Sequence, residues 1–467
     1  MPAVQLTLLV IGLVWGAVFF LRGSTMIGCL AWLLSVACFG RSFMAIDLGG
    51  VTLSIDRVLL VVLVAFYVVR RSLGGLDPKP LCGADYLLFG LLGWLTLSTF
   101  THDYDREFFE STTSPVWNLI AGYWMPVTVY WIVRQSRLNE RSVVHLYGFL
   151  LVLGLYLALT GIFEISQQWW LVFPRYIADP EVGIHFGRAR GPFGNSIRYG
   201  FYLTVCLFAA WMCWLRLSRR QQMLSLPLAA LFLAAIFFCY TRSVWLGMAA
   251  GALAAAVMTL PGRMRTVFLA SATAAGLLGA CLLWQRLIFL EREDSGAHAA
   301  VSVSNRASHA YVSWKMLQDR PLLGFGFGQY PNEKLAYLYD RNTELKLSRL
   351  RTRLSHNTVL TLMVEVGAVG LGLFVALLAA WVCRAVSIWR NPNAPLWARR
   401  HATLFLAALC VYFFQLSFHE VCFRPDINAL MFMLAGTAVG LAEQQTVHQQ
   451  RWPENDCVNG TLQPAFS

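Results

Sequence analysis

Three arginine-bearing turns and one histidine combine residue types and spacings that could do chemistry. Arg190 opens Arg190-Gly-Pro-Phe-Gly-Asn195, two residues after Arg188 and just ahead of an apolar run. The glycines let backbone approach a ligand, Asn195 offers an amide, and the planar guanidinium suits bidentate contact with phosphate. A helix-start turn with an arginine snorkelling to headgroups accounts for the same residues equally well. Arg242 lies in Thr241-Arg242-Ser243, between apolar runs at 224–240 and 244–260. Each run is near the minimum for crossing a bilayer, so the turn cannot reach far into water. Its cation must meet headgroups, a partner or an anionic ligand. Arg349, Arg351 and Arg353 precede Ser355-His356-Asn357, where a polar segment meets the next apolar run. A histidine held at a helix end, with an ordinary pKa of about 6.5, can act as a general base near neutral pH; a cap or surface residue is the alternative. Glu365 lies nine residues on, roughly 13 Å along a helix. It cannot touch His356, and reads as the structural partner of a basic residue on another helix.

The elements that must position these residues are membrane helices. Of 467 residues, 57% are hydrophobic and 13% charged, against about a quarter charged in soluble domains. That balance excludes an ordinary cytoplasmic enzyme and a disordered scaffold. The net charge of +12 sits mostly at the ends of apolar runs, as topology and headgroup anchors, so no nucleic-acid partner is expected. The expected fold is all-α and polytopic, with about 12 or 13 transmembrane helices by the 17–25-residue ruler. It divides into N-terminal membrane helices at 1–285, an extracytoplasmic loop domain at 286–356, C-terminal membrane helices at 357–443 and a disordered cytoplasmic tail at 444–467. The run 3–21 lacks a basic leader and reads as a span. Asp47 to Ser54, with turn glycines and alternation, predicts a small turn or hairpin. The 11 cysteines show no metal-type or disulfide spacing. Basic loops alternate from residue 70 to 400, which puts 70–83, 134–143, 216–222 and 384–400 in the cytoplasm and 286–355 outside.

Within the outer segment, Ser304 or Asn305 is expected to cap a helix through about Gln318. Ala307, Ala310, Tyr311, Trp314 and Leu317 form its apolar face, Asp319-Arg-Pro stops it, and a glycine turn follows at 324–328. That turn lacks the preceding strand and following lysine of a phosphate loop, which argues against nucleotide binding. The acidic loop of Asp103, Asp105, Glu107 and Glu110 reads as a solvated face rather than a metal site.

The ordered set of Arg190-Gly-Pro-Phe-Gly-Asn, Thr241-Arg-Ser, Trp314, Asp319-Arg-Pro-Leu-Leu-Gly-Phe-Gly, Ser355-His-Asn and Glu365-Val-Gly resembles the O-antigen ligase and polymerase family of bacterial envelope glycosyltransferases. The resemblance covers about residues 180–375. It implies a multi-pass protein of the bacterial cytoplasmic (inner) membrane that needs no metal or cofactor. Such an enzyme moves a glycan from undecaprenyl diphosphate to an acceptor hydroxyl outside that membrane, in lipopolysaccharide or polysaccharide biosynthesis. The acceptor is lipid A-core, another repeat unit or, in some relatives, a protein side chain. Arg190 and Arg242 would bind the diphosphate, with Arg188, Asn195 and Arg353 beside them, and His356 would activate the acceptor. A lipid-linked glycan transporter is the reading from another class. It should show broken helices in paired halves, and the sequence has no such internal symmetry.

Overall fold

The computed structural model describes residues 23–40, 43–48, 51–76, 78–102, 114–289, 296–340, 342–351, 355, 357–421 and 425–451. The chain is all-α apart from one hairpin. Its main helices are α1 (Thr25–Cys38), α2 (Ile55–Ser72), α3 (Gly83–Phe100), α4 (Pro115–Gln135), α5 (Glu140–Ile165), α6 (Ser196–Trp214), α7 (Arg219–Phe237), α8 (Arg242–Thr259), α9 (Gly262–Phe289), α10 (Gly296–Asp319), α11 (Thr358–Arg390), α12 (Leu396–Phe418) and α13 (Pro425–Arg451). Eight of these, α4 to α8 and α11 to α13, are long and apolar enough to cross a membrane. The runs expected at 26–40, 56–69, 84–100 and 264–285 are helical too. The first is short, and the second carries Asp56, Arg57, Arg70 and Arg71. The expected span at 3–21 and the acidic loop at 103–110 lie outside the described residues. The hairpin forms as expected, Ala45–Leu48 pairing antiparallel with Val51–Ser54.

Helix α13 is the central post. Residues 427–442 are buried on every side, as expected for a helix that is apolar all round. Gly436 and Gly440, four apart, bring it against the backbone of α4: a Cβ at Gly436 would stand 2.6 Å from the Tyr130 carbonyl oxygen. The same face of α4 holds Arg134, ion-paired with Asp85 of α3 at 2.5 Å and fully buried, with Tyr130 donating to Asp85 at 3.0 Å. α13 runs on to Arg451, beyond the boundary expected at 443, because Glu443-Gln-Gln continues in good helix formers. The tail from 452 lies outside the described residues.

Two features of the stretch from α10 to α11 depart from expectation. α10 begins at Gly296, eight or more residues earlier than the cap expected at Ser304 or Asn305. It also buries a different stripe, Asn305, Ser308, His309, Val312, Ser313 and Met316, and leaves Ala307, Ala310 and Trp314 exposed. Second, α11 is interrupted at Gly367 (φ 66°, ψ −170°), and the stretch after α10 fills the break. Phe325 and Gly326 donate N–H to the Val364 and Glu365 carbonyls at 3.0 and 2.8 Å, while Ala368 and Val369 donate to Pro321 and Leu322 at 2.9 and 3.3 Å. A Cβ on Gly367 would stand 2.1 Å from the Leu322 oxygen, so only glycine fits there.

Candidate active site

The corner where α12 ends and the chain turns toward α13 gathers polar groups from α8, α10 and the start of α11. His419 caps α12, and its Nε2 lies 2.7 Å from the Ser243 hydroxyl in the first turn of α8. That contact sets Arg242, the first residue of α8 and exposed, beside the corner. From the other side, Arg306 of α10 stacks its guanidinium 5.8 Å above the Phe418 ring. Burial, and then the nearby Arg242 cation, push the Arg306 guanidinium below its ordinary pKa. Two cations from separate elements thus repel each other across one corner. Both side chains are exposed and open to an anion from solvent. The sequence reading placed Arg306 only within a helix and assigned it no role.

The segment flanking residue 356 is tied to the same corner. Asn357 caps α11 through Leu360 N–H at 3.0 Å and donates to the Ser417 carbonyl at 3.0 Å. Thr358 donates both its N–H and its hydroxyl to the His419 carbonyl, at 3.2 and 2.8 Å. Ser355 hydrogen-bonds Thr361, whose hydroxyl reaches Glu420 at 3.4 Å. His356 and Arg353 themselves lie outside the described residues, and Arg349 and Arg351 are exposed. His419 and Glu420 also went unassigned in the sequence. A histidine and a carboxylate directly after the apolar run 401–418 were the available signal. Buried Lys334 faces Glu420: desolvation lowers its pKa to about 8, against the upward pull of that carboxylate.

The Arg190 turn is built differently from expectation. Arg190 is buried, and its guanidinium donates to the carbonyls of Val182, Ile177 and Asp179 at 2.6, 2.9 and 2.7 Å while stacking on Phe186 at 4.7 Å. These donors hold the loop together instead of facing an open site. Asn195 is the N-cap of α6, its Oδ1 accepting from Ile197 at 2.9 Å, a need created by the orphan amides of a helix start. Arg188 donates to the Tyr240 carbonyl at 3.3 Å, so it strings this loop to the turn before Arg242. Arg198 is ion-paired with Asp426 at 3.2 Å. Glu365 is fully buried, but its Oε1 accepts from Tyr330 N–H at 3.2 Å rather than from a basic side chain, because the glycine turn at 324–328 delivers backbone amides into the break of α11.

Sequence comparison bears on the part of the chain that carries the two cations. Residues 227–375 match the O-antigen ligase family. The O-antigen ligase match spans Arg242, Arg306, the glycine turn, position 356 and the break at Gly367. It stops short of the Arg190 turn on one side and of His419 and Glu420 on the other. No curated protein matches the chain. The chain is a multi-pass membrane protein whose residues 227–375 match the O-antigen ligase family, a likeness that supports membrane glycan transfer of the ligase or polymerase type.

Proposed function

We propose that the protein transfers a glycan from undecaprenyl diphosphate to an acceptor hydroxyl at the outer face of the bacterial inner membrane. The observation that carries this reading is the pair Arg242 and Arg306 at the Phe418–His419 corner, next to the segment that bears His356. In the transfer, the acceptor oxygen attacks the anomeric carbon, the bond from that carbon to the diphosphate oxygen breaks, and undecaprenyl diphosphate leaves with the electron pair. His356 takes the hydroxyl proton. The charge that grows on the leaving group needs fixed cations more than it needs an acid, and two guanidiniums supply them in place before the reaction starts. The clamp around Arg190 supports a positioning role for that residue, with Arg188 linking its loop to the turn at Tyr240.

The test is transfer by purified protein in nanodiscs given a lipid-linked glycan and three acceptors in parallel: lipid A-core, a free repeat unit and a serine-rich peptide. Neither nucleotide nor divalent metal is added. A glycosylated product and released undecaprenyl diphosphate support the reading, and the acceptor consumed names the subclass. Donor carried across the bilayer with its glycosidic bond intact would establish the transporter instead.

A further inference from the structure

The loop between α5 and α6 does not stand away from the membrane. Tyr156, deep in α5, donates its hydroxyl to the Phe173 carbonyl at 2.6 Å. Tyr156 lies nine residues before the end of α5, so the loop folds back about 13 Å along the helix it has just left. α5 is apolar from Leu146 to Ile165 but for Thr160 and Glu164, a length of about 30 Å that matches the hydrocarbon core. The helix therefore ends near the hydrocarbon boundary, and Phe173 is below it. Phe173 also docks on a lipid-facing side: Val152, Leu155 and Leu159, the neighbours of Tyr156 on the helix surface, are all exposed.

Two further observations agree. The loop presents its large apolar side chains outward: Trp170 is 69% exposed and Phe173 54%, with Leu171, Ile184 and Phe186 beside them. Part of its backbone is paired internally. Tyr156 takes the Phe173 carbonyl, Arg175 the Trp169 carbonyl at 3.0 Å, and Arg190 three more, while the N–H groups of Leu171, Val172, Ile177, Asp179, Val182 and Ile184 all find backbone oxygens. These bonds lower the cost of placing irregular backbone at the edge of a membrane.

We propose that residues 168–186 form an interfacial anchor inserted into the outer leaflet, the headgroup and upper acyl region covering Trp170, Leu171, Phe173, Ile184 and Phe186. Trp169 stacks on Phe186 at 5.5 Å and Phe186 lies under the Arg190 guanidinium, so anchor and Arg190 turn move as one body. Aromatic side chains at this depth fix the height of the outer face against the bilayer, as interfacial tryptophans do at span ends. Arg190 thereby gains a task that phosphate binding does not require.

Depth can be measured without substrate. In protein whose reactive cysteines have been replaced, single variants Trp170→Cys, Val152→Cys and Tyr339→Cys are nitroxide-labelled in phosphatidylethanolamine–phosphatidylglycerol nanodiscs. Collision with oxygen and with a water-soluble nickel chelate is then compared. Val152 is 70% exposed on α5 and Tyr339 is 80% exposed in the outer region, so they mark lipid and water. The label at 170 should shift toward the 152 label, with little nickel access; Leu171→Cys serves if the tryptophan variant does not fold. Nickel access equal to that at 339 overturns the proposal. If soluble glycan then shields that label, the patch is a sugar platform and the anchor is equally refuted.

Discussion

Glu164 holds Arg190 by its main chain and not by its guanidinium. Its Oε2 accepts from the Arg190 N–H at 2.8 Å and its Oε1 from the Gly191 N–H at 2.7 Å. The carboxylate therefore fixes the turn from below while the guanidinium fixes the loop above it. Glu164→Gln keeps one acceptor and sets an NH2 group against an N–H, and Arg190→Lys loses the fork that spans three carbonyls. Each should cost about 1–3 kcal/mol of stability. Thermal unfolding in detergent should fall for both variants, with the KM for lipid-linked donor little changed in the fraction that stays folded.

Arg242 and Arg306 should behave otherwise. Lysine at either position keeps the charge but not the planar fork, so transfer should drop by about 10²–10³ with unfolding temperature held. Because the two act on one anion, the double variant should lose much less than the product of the single losses. Strict multiplicativity in single-turnover rates would separate them into independent roles.

For His356, the alanine variant should transfer about 10²- to 10⁴-fold more slowly while still binding donor. The wild-type rate should fall as pH drops through the imidazole titration, since the cation cannot accept a proton. A His356→Ala variant with wild-type rate and pH profile would mark the residue as structural.

Lys334 sets a pH dependence of stability rather than of rate. Its folded pKa of about 8 lies below the ordinary 10.5, because burial disfavours the cation. Below about 8 it is protonated folded and unfolded, and the burial cost is fully present. Between the two values the folded form releases its proton first, so stability should rise with pH across that window. Unfolding temperatures measured from pH 7 to 10 should climb in wild type relative to Lys334→Met.

Topology gives a simpler check. Arg141 and Glu344 are both exposed, and the alternation of basic loops puts them on opposite sides. A membrane-impermeant maleimide should label Glu344→Cys in intact cells and Arg141→Cys only after permeabilisation.

The helical class, a small turn or hairpin at 47–54, the end of α10 at Asp319 and Arg242 at a tight helical hairpin were legible, because hydropathy and turn residues act locally. The contacts around Arg190 and Asn195 were not. An arginine that closes its own loop and one that awaits a phosphate look alike until the carbonyls around them are located. α10 misled for a related reason: the reading assumed that the apolar stripe through Trp314 faces the core. The helix instead buries His309 against the Tyr330 hydroxyl at 3.0 Å, and Arg306, a short way along the same helix, reaches Phe418. Glu365 had no legible partner because backbone amides carry no signature of their own.

The interruption of α11 at Gly367 has a consequence for biogenesis. Before Pro321 to Gly326 docks, the Val364 and Glu365 carbonyls pair with the Ala368 and Val369 amides as ordinary i→i+4 helix bonds, so docking exchanges those bonds for bonds to the strip. Synthesis runs from the N-terminus, so the strip is already made when α11 is, and an unbroken α11 is free to insert before it docks. Chimeras that exchange the outer region between relatives would have to carry residues 321–328 and 364–369 together, as one inheritable cassette.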